Sequence, residues 1–251
     1  MKNMQNQILI EQISRWLQDQ INKAGAQGAL CGLSGGIDSA VVAALACRAL
    51  GHNFLALIMP CHSLMRDVED ARRVAEHLGL AHETVELTPI YDLFKSILPS
   101  GPPMAEANLK VRLRMVTLYY YAAARQALVL GTSNKSEIAV GYFTKYGDGA
   151  ADLLPLADLL KTEVRALAQA LKLPAWLLDK PPSAGLWPEQ TDETEMGVTY
   201  EELDRFLNES TYHLPTTVSP AAQERILTMM RLSSHKRQPI PRFRKDQDAV
   251  V

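Results

Sequence analysis

Two short segments carry the residue types that handle phosphate. The first, Gly32-Leu33-Ser34-Gly35-Gly36-Ile37-Asp38-Ser39, combines paired glycines with two hydroxyls and a carboxylate. Adjacent glycines let a backbone turn sharply and come close to a ligand. Where such a turn opens a helix, the first N–H groups lack helical partners, and with the helix dipole behind them they cradle an anion. The segment is not the GxxxxGKS/T loop, because it has no lysine and carries an aspartate instead. A carboxylate beside phosphates is repulsive unless a cation lies between them, so Asp38 implies Mg2+. The competing reading is an ordinary glycine-rich turn capped by Asp38. The second segment, Gly131 to Glu137 (GTSNKSE), supplies Thr132, more hydroxyls and another acid.

The surrounding pattern places both segments at strand ends. Ile8, Leu9, Ile13, Trp16, Leu17 and Ile21 recur at helical spacing, so the chain opens with an amphipathic helix. The apolar run Ala29–Leu33 reads as a buried strand leading into the first segment, and Asp38–Leu50 as a helix stopped by Gly51. Residues 54–59 form a second strand, 67–78 a helix capped by Gly79, 82–87 a third strand, 105–125 a long helix and 127–130 a fourth strand. Strand and helix alternating in this way predict an α/β fold, Rossmann-like and three-layered, with a mostly parallel sheet flanked by helices. Right-handed crossovers bring the strand C-termini to one edge, where such sheets bind ligands. Beyond it come a loop at 141–154, a helix at 159–171, an irregular acid-rich stretch at 180–197, helices at 200–207 and 220–232, and a basic tail. No repeat or linker interrupts residues 1–251, which are expected to form a single domain.

Composition narrows the partners. Of 251 residues, 47% are hydrophobic and 22% charged, and the net charge is −2. That is enough apolar residue for a sizeable core, and the balance gives no case for nucleic acid or a membrane surface. No apolar run is long enough to span a bilayer, and the N-terminus lacks a signal-peptide pattern, so a cytoplasmic location is expected. Cys31, Cys47 and Cys61 form no CxxC pair and read as small hydrophobes in a reduced compartment.

The SGGIDS turn resembles that of the N-type ATP pyrophosphatases, whose loop grips the β- and γ-phosphates while chemistry occurs at the α-phosphorus. Within that group, GTSNKSE, Gly141–Asp148 (GYFTKYGD), Asp152, Leu160-Lys161-Thr162, the PSAGL loop at 182–186, the TDETEMGVTY run and His235-Lys236-Arg237 resemble the NAD synthetase family over nearly the whole chain. The resemblance implies an adenine nucleotide alpha hydrolase-like fold. It also implies ATP-dependent amidation of deamido-NAD to NAD with ammonia, through an NAD-adenylate and with release of AMP and pyrophosphate. By the same resemblance, residues 32–39, Thr132, Lys161 and Ser183 contact ATP, and Asp38 and Glu137 hold Mg2+. Arg112, Lys145, Asp152, His235 and Lys236 hold deamido-NAD, and the long helix with Tyr119, Tyr120 and Tyr121 helps form a homodimer.

These roles make chemical sense. Attack of a carboxylate on the α-phosphorus brings two anions together, which cations must screen. Lys161 and the glycine amides suit the charge growing on departing pyrophosphate. Asp148 is expected either to take the proton from ammonium or to stabilise the turn before Gly149. Glutamine-dependent enzymes carry an extra domain with a Glu-Lys-Cys set; only one helix and one strand precede Ser34 here, so free ammonia is the expected donor. The alternatives are another ligase of the group, GMP synthetase-like or tRNA-modifying, and a non-catalytic adenine-nucleotide module.

Overall fold

The computed structural model describes residues 2–183, 185, 190–209 and 217–243. Helix α1 (Lys2–Lys23) leads into β1 (Gly28–Gly32), α2 (Ile37–Leu50), β2 (Phe54–Ile58), α3 (Met65–Leu78), β3 (His82–Thr84), α4 (Thr88–Ile97), α5 (Pro103–Arg125) and β4 (Ala127–Val129). The strands pair in parallel in the order β3-β2-β1-β4. The chain therefore runs outward from β1 to β3, then crosses back through α4 and α5 to place β4 on β1's other side.

Side chains alternate across this sheet, as the pleat requires. Ala29 and Cys31 of β1, with Phe54, Ala56 and Ile58 of β2, face a core made with α1, α2 and α3. Leu30, Leu55 and Leu57 face the other way, against Leu87, Tyr91 and Ala122 of the α4–α5 layer. The strands read as continuous apolar runs because both faces are covered. Helix α2 is buried along most of its length, from Ile37 to Ala46, which fixes the helix whose first turn follows the paired glycines. Cys31 and Cys61 are buried free thiols.

After β4 come α6 (Lys135–Val140), α7 (Lys161–Ala170), α8 (Ala175–Leu178), α9 (Asp192–Met196), α10 (Tyr200–Glu209), α11 (Pro220–Leu232) and α12 (Ser234–Arg237). Helix α7 joins the first core through Val164, Leu167 and Ala168. Helices α6, α9, α10 and α11 enclose a third apolar cluster around Tyr200, Leu203, Phe206 and Ile226. Several elements depart from the sequence expectation: α6 and α8 lie in stretches given no element, α12 lies in the basic tail, and β3 ends at Thr84 where a strand to residue 87 was expected. Helix α4 lies in a stretch given no element, and the irregular acid-rich stretch contains α9, started by the Thr191 side chain accepting the Thr194 N–H. Helix α9 is little more than one turn and leaves no periodic signal, whereas α4 carries Ile90, Leu93, Phe94 and Ile97 at helical spacing, a stripe to which no element was assigned. No helix among the described residues is long and apolar enough to cross a membrane.

Candidate functional site

The two phosphate-type segments meet at the ends of neighbouring strands, β1 and β4, on the wall of a cavity of about 580 Å³. In the first, Gly35 adopts φ +76°, and a Cβ there would lie 2.5 Å from the Asp67 carbonyl oxygen, so only glycine fits where the turn rests on α3. The turn is braced internally. The Ser34 N–H donates to Ser39 Oγ (3.2 Å), Ser39 Oγ donates to the Gly36 carbonyl (3.0 Å), and the Gly36 N–H donates to Ser34 Oγ (3.2 Å). Helix α2 begins at Ile37 with Gly36 as its extended N-cap.

In the second segment, Asn134 caps α6. Its Oδ1 accepts the Glu137 N–H (3.0 Å) while Glu137 Oε2 accepts the Asn134 N–H (3.3 Å). This reciprocal capping box holds Glu137 in one rotamer. Asn134 Nδ2 also donates to Asp38 Oδ1 at 2.9 Å and so ties the two segments together. Asn134 received no role from sequence, although an Asn three residues before a Glu at a helix start is a readable cap signal.

Between the acids lies Lys161, the first residue of α7, 1% exposed. Its Nζ donates to Asp38 Oδ2 at 2.5 Å and to Glu137 Oε1 at 3.1 Å, and stands 4.8 Å from the centre of the Tyr200 ring. Burial alone would depress the lysine pKa; Asp38 and Glu137 outweigh it and hold the ammonium above its ordinary value. Burial pushes the Glu137 carboxyl up, only partly offset by Lys161. A cation opening a helix opposes its dipole, so the position must be enforced. Ser136 Oγ accepts the Lys161 N–H (3.0 Å), and Asp204 Oδ2 of α10 accepts the Thr162 N–H (2.8 Å) while bonded to Ser136.

A second acid group continues this network, and sequence reading assigned it no role. Tyr200 Oη donates to Asp192 Oδ2 (3.1 Å) and Glu137 Oε1 (3.3 Å), and Tyr142 Oη to Asp192 Oδ1 (3.1 Å) and Glu195 Oε2 (2.8 Å). Burial raises the Asp192 pKa, and raises both tyrosines. Asp192, Glu195 and Gln190 line the same cavity.

The expected site residues separate into two groups. Gly32, Leu33, Ser34, Gly36, Ile37, Asp38, Ser39, Thr132, Glu137, Lys161 and Ser183 line the cavity, as do Asp148 and Lys236; Gly35 instead backs onto α3. Arg112, Lys145, Asp152 and His235 lie outside its lining. Three of them form a chain beside it: Arg112 Nη2 donates to the Lys145 carbonyl (3.2 Å), and Lys145 Nζ to the His235 carbonyl (2.7 Å). Lys236 Nζ donates to the carbonyls of Gly141 and Phe143, each at 2.7 Å. Asp152 Oδ2 accepts the Val129 N–H (2.8 Å) and its Oδ1 the Tyr119 hydroxyl (3.3 Å). Asp148 opens onto the cavity, and its Oδ1 accepts the Thr144 N–H at 2.7 Å. Protein crowded around that carboxyl raises its pKa, against the pull of backbone N–H groups and of Lys236.

Asp38 and Glu137 offer hard oxygen donors converging from two elements, a set that suits Mg2+ bound by one or two carboxylates and completed by phosphate oxygens. Fold and site together define an α/β nucleotide-binding protein with a phosphate turn backed by paired acids. The NAD synthase family model matches residues 9–240, and the chain belongs to that family. It is 44% identical to the NH3-dependent NAD+ synthetase of Finegoldia magna, over 95% of this chain and 97% of that one. It is 46% identical to the enzyme of the same name from Archaeoglobus fulgidus, over 94% and 97%. Among solved structures, it is similar to an NMN synthetase from Francisella tularensis, with a TM-score of 0.88, 42% identity, and coverage of 95% of this chain and 99% of that one.

Removing the buried cation tests the site's electrostatics. Lys161→Met leaves Asp38 and Glu137 facing each other without compensation and is expected to cost about 3–5 kcal/mol of stability at pH 8, read by urea denaturation. A loss below about 1 kcal/mol, the scale of an exposed pair, would show that these charges are not coupled.

Proposed function

We propose that the chain amidates the carboxylate of deamido-NAD with ammonia, driven by cleavage of ATP to AMP and pyrophosphate through an NAD-adenylate. The observation that carries this is the convergence of Asp38, Glu137 and Lys161 beside the glycine turn, inside one cavity that also reaches Asp148 and Lys236. The turn at 32–39, with Thr132, Lys161 and Ser183, binds ATP. Its amides and Lys161 take up charge on the departing pyrophosphate, leaving the α-phosphorus open to the substrate carboxylate. Asp38 and Glu137 would hold Mg2+, which would supply screening of the phosphates. A regulatory nucleotide module has no need of two acids converging on a buried lysine beside the turn.

Arg112, Lys145, Asp152, His235 and Lys236 bind deamido-NAD, four of them outside the cavity, where a dinucleotide longer than the cavity would continue. Asp148 receives the proton of ammonium, freeing the lone pair of NH3; its raised pKa suits a proton acceptor. The chain acts as a homodimer. Ile90, Leu93, Phe94 and Ile97 of α4 and Val116 and Tyr120 of α5 present exposed apolar side chains for a second copy to cover. The likeness to the Francisella NMN synthetase favours a second reading, in which the acceptor is the mononucleotide bearing the same carboxylate.

Incubation with ATP, Mg2+ and ammonium is expected to yield AMP in step with amide, with kcat/KM higher for deamido-NAD than for nicotinate mononucleotide. The reverse order would select the mononucleotide, and ADP formation would exclude the proposed chemistry. Asp148→Asn should lower kcat about 100-fold or more, and near-normal turnover at every ammonium concentration would remove Asp148 from the chemistry. Sedimentation velocity should give twice the chain mass, shifting to the monomer in Tyr120→Glu; a monomeric parent protein would rule out the dimer.

A further inference from the structure

Lys180 belongs to neither the sequence-derived site set nor the Asp38–Lys161 cluster, yet it lines the cavity. Its Nζ donates to Asp70 Oδ2 (2.7 Å), Asp67 Oδ1 (2.9 Å) and the Gly35 carbonyl (3.2 Å). Two of these partners come from the start of α3, and the third is the middle of the phosphate turn. The residue is followed by Pro181 and Pro182, whose rings restrict the backbone leading to Ser183. The same segment returns to α3 at Gly185, where a Cβ would stand 3.4 Å from Asp67 Oδ2.

The Gly35 carbonyl matters because a planar trans peptide points its C=O and N–H in opposite directions. Fixing the Gly35 oxygen toward Lys180 fixes the Gly36 N–H toward the other side, where it meets Ser34 Oγ. The peptide lies between two glycines, Gly35 at φ +76° and Gly36 at φ −99° and ψ 162°. With no Cβ on either side, little steric resistance opposes rotation of this unit. Rotated, it would take the N–H donor away from Ser34 Oγ and present a carbonyl oxygen in its place.

We propose that Lys180 is a positioning residue for the phosphate turn: held by Asp67 and Asp70, its ammonium pins the Gly35 carbonyl and so keeps the Gly36 N–H on Ser34 Oγ, holding that hydroxyl in place for the polyphosphate of ATP. The inference rests on the reading that ATP phosphates occupy this turn. It assigns Asp67 and Asp70 the task of holding the lysine, and it explains a cation spent on two acids at the rim of an anion site. Asp70 is itself braced by Arg73 Nη1 at 3.2 Å, so the anchor is fixed from both sides.

The test measures equilibrium binding of Mg2+·ATP and of AMP by calorimetry, without the second substrate. Lys180→Met is expected to weaken ATP binding about tenfold or more, the scale of one charge-assisted hydrogen bond. AMP binding should stay within about twofold, since AMP lacks the outer phosphates. Lys180→Arg, which keeps donors at that place, should restore most of the affinity. A triple variant, Lys180→Met with Asp67→Asn and Asp70→Asn, separates geometry from charge because it removes the acids together with the lysine. Under the proposal it binds ATP as weakly as Lys180→Met; recovery to the parent affinity would make Lys180 a mere counter-charge and overturn it. ATP binding unchanged in Lys180→Met, or equal losses for ATP and AMP, would also overturn it. If the unsubstituted protein bound ATP no better than AMP, the ATP reading of the turn would fail first and this inference with it.

Discussion

The site depends on one buried ammonium held between two carboxylates. Lys161 is 1% exposed, and neither it nor the acids it joins could be buried singly without a large desolvation cost. Its position as the first residue of α7 sets a cation against the helix dipole, so the surrounding structure has to hold it there. Ser136 and Asp204 satisfy the amides of the first turn, Asn134 holds both acids from the capping box of α6, and the Tyr200 ring lies 4.8 Å from the ammonium. These groups come from α6 and its cap, α7 and α10, which explains why the helices after β4 form a separate apolar cluster around Tyr200. That cluster is the mount for the charged network.

The sheet makes this meeting possible. Because β4 pairs directly with β1, the turn after β1 and the segment after β4 emerge side by side on the same edge. Asp38, on the first turn of α2, and Glu137, in α6, then need only one intervening cation to be joined. Helix α5 contributes the opposite wall. Asn108, Val111, Arg114, Met115 and Leu118 share one helical face and line the cavity, while Arg112 projects from another and is exposed.

That last point shows where sequence was informative and where it was not. The strand–turn–helix at 28–50 was legible because the apolar run, the paired glycines and the Ala- and Val-rich helix all indicate the same structure. The two segments were legible as neighbours because both sit at strand ends of a parallel sheet, while the pairing of Asp38 with Glu137 came from the family resemblance. Motif spacing could not reveal that Arg112, Lys145, Asp152 and His235 fall outside the cavity, because that depends on which helical face or loop side a residue occupies. The network of Tyr142, Asp192, Glu195 and Tyr200 joins residues up to 58 positions apart through side chains alone, which no local pattern encodes. Helix α4 was readable, since Ile90, Leu93, Phe94 and Ile97 recur at helical spacing; what the pattern could not tell is that this stripe is left exposed and only Tyr91 is buried.

The charges around the cavity set the terms on which substrates enter. Among the described residues its lining holds six acids, Asp38, Asp67, Glu137, Asp148, Asp192 and Glu195, against four cations, Arg114, Lys161, Lys180 and Lys236. Two of the cations, Lys161 and Lys180, are each bonded to two carboxylates, while Arg114 and Lys236 are bonded to carbonyl and hydroxyl oxygens. A nucleotide triphosphate approaching such a wall meets an excess of negative charge, which opposes binding in a partly desolvated space. The imbalance is relieved if positive charge arrives with the ligands, as a divalent ion on the phosphates and as ammonium. On this account the acids serve two purposes. They orient Lys161 and Lys180, and they make the cavity favourable to anions only when cations accompany them, so that the reactants of an amide-forming step are brought together by the same electrostatic requirement.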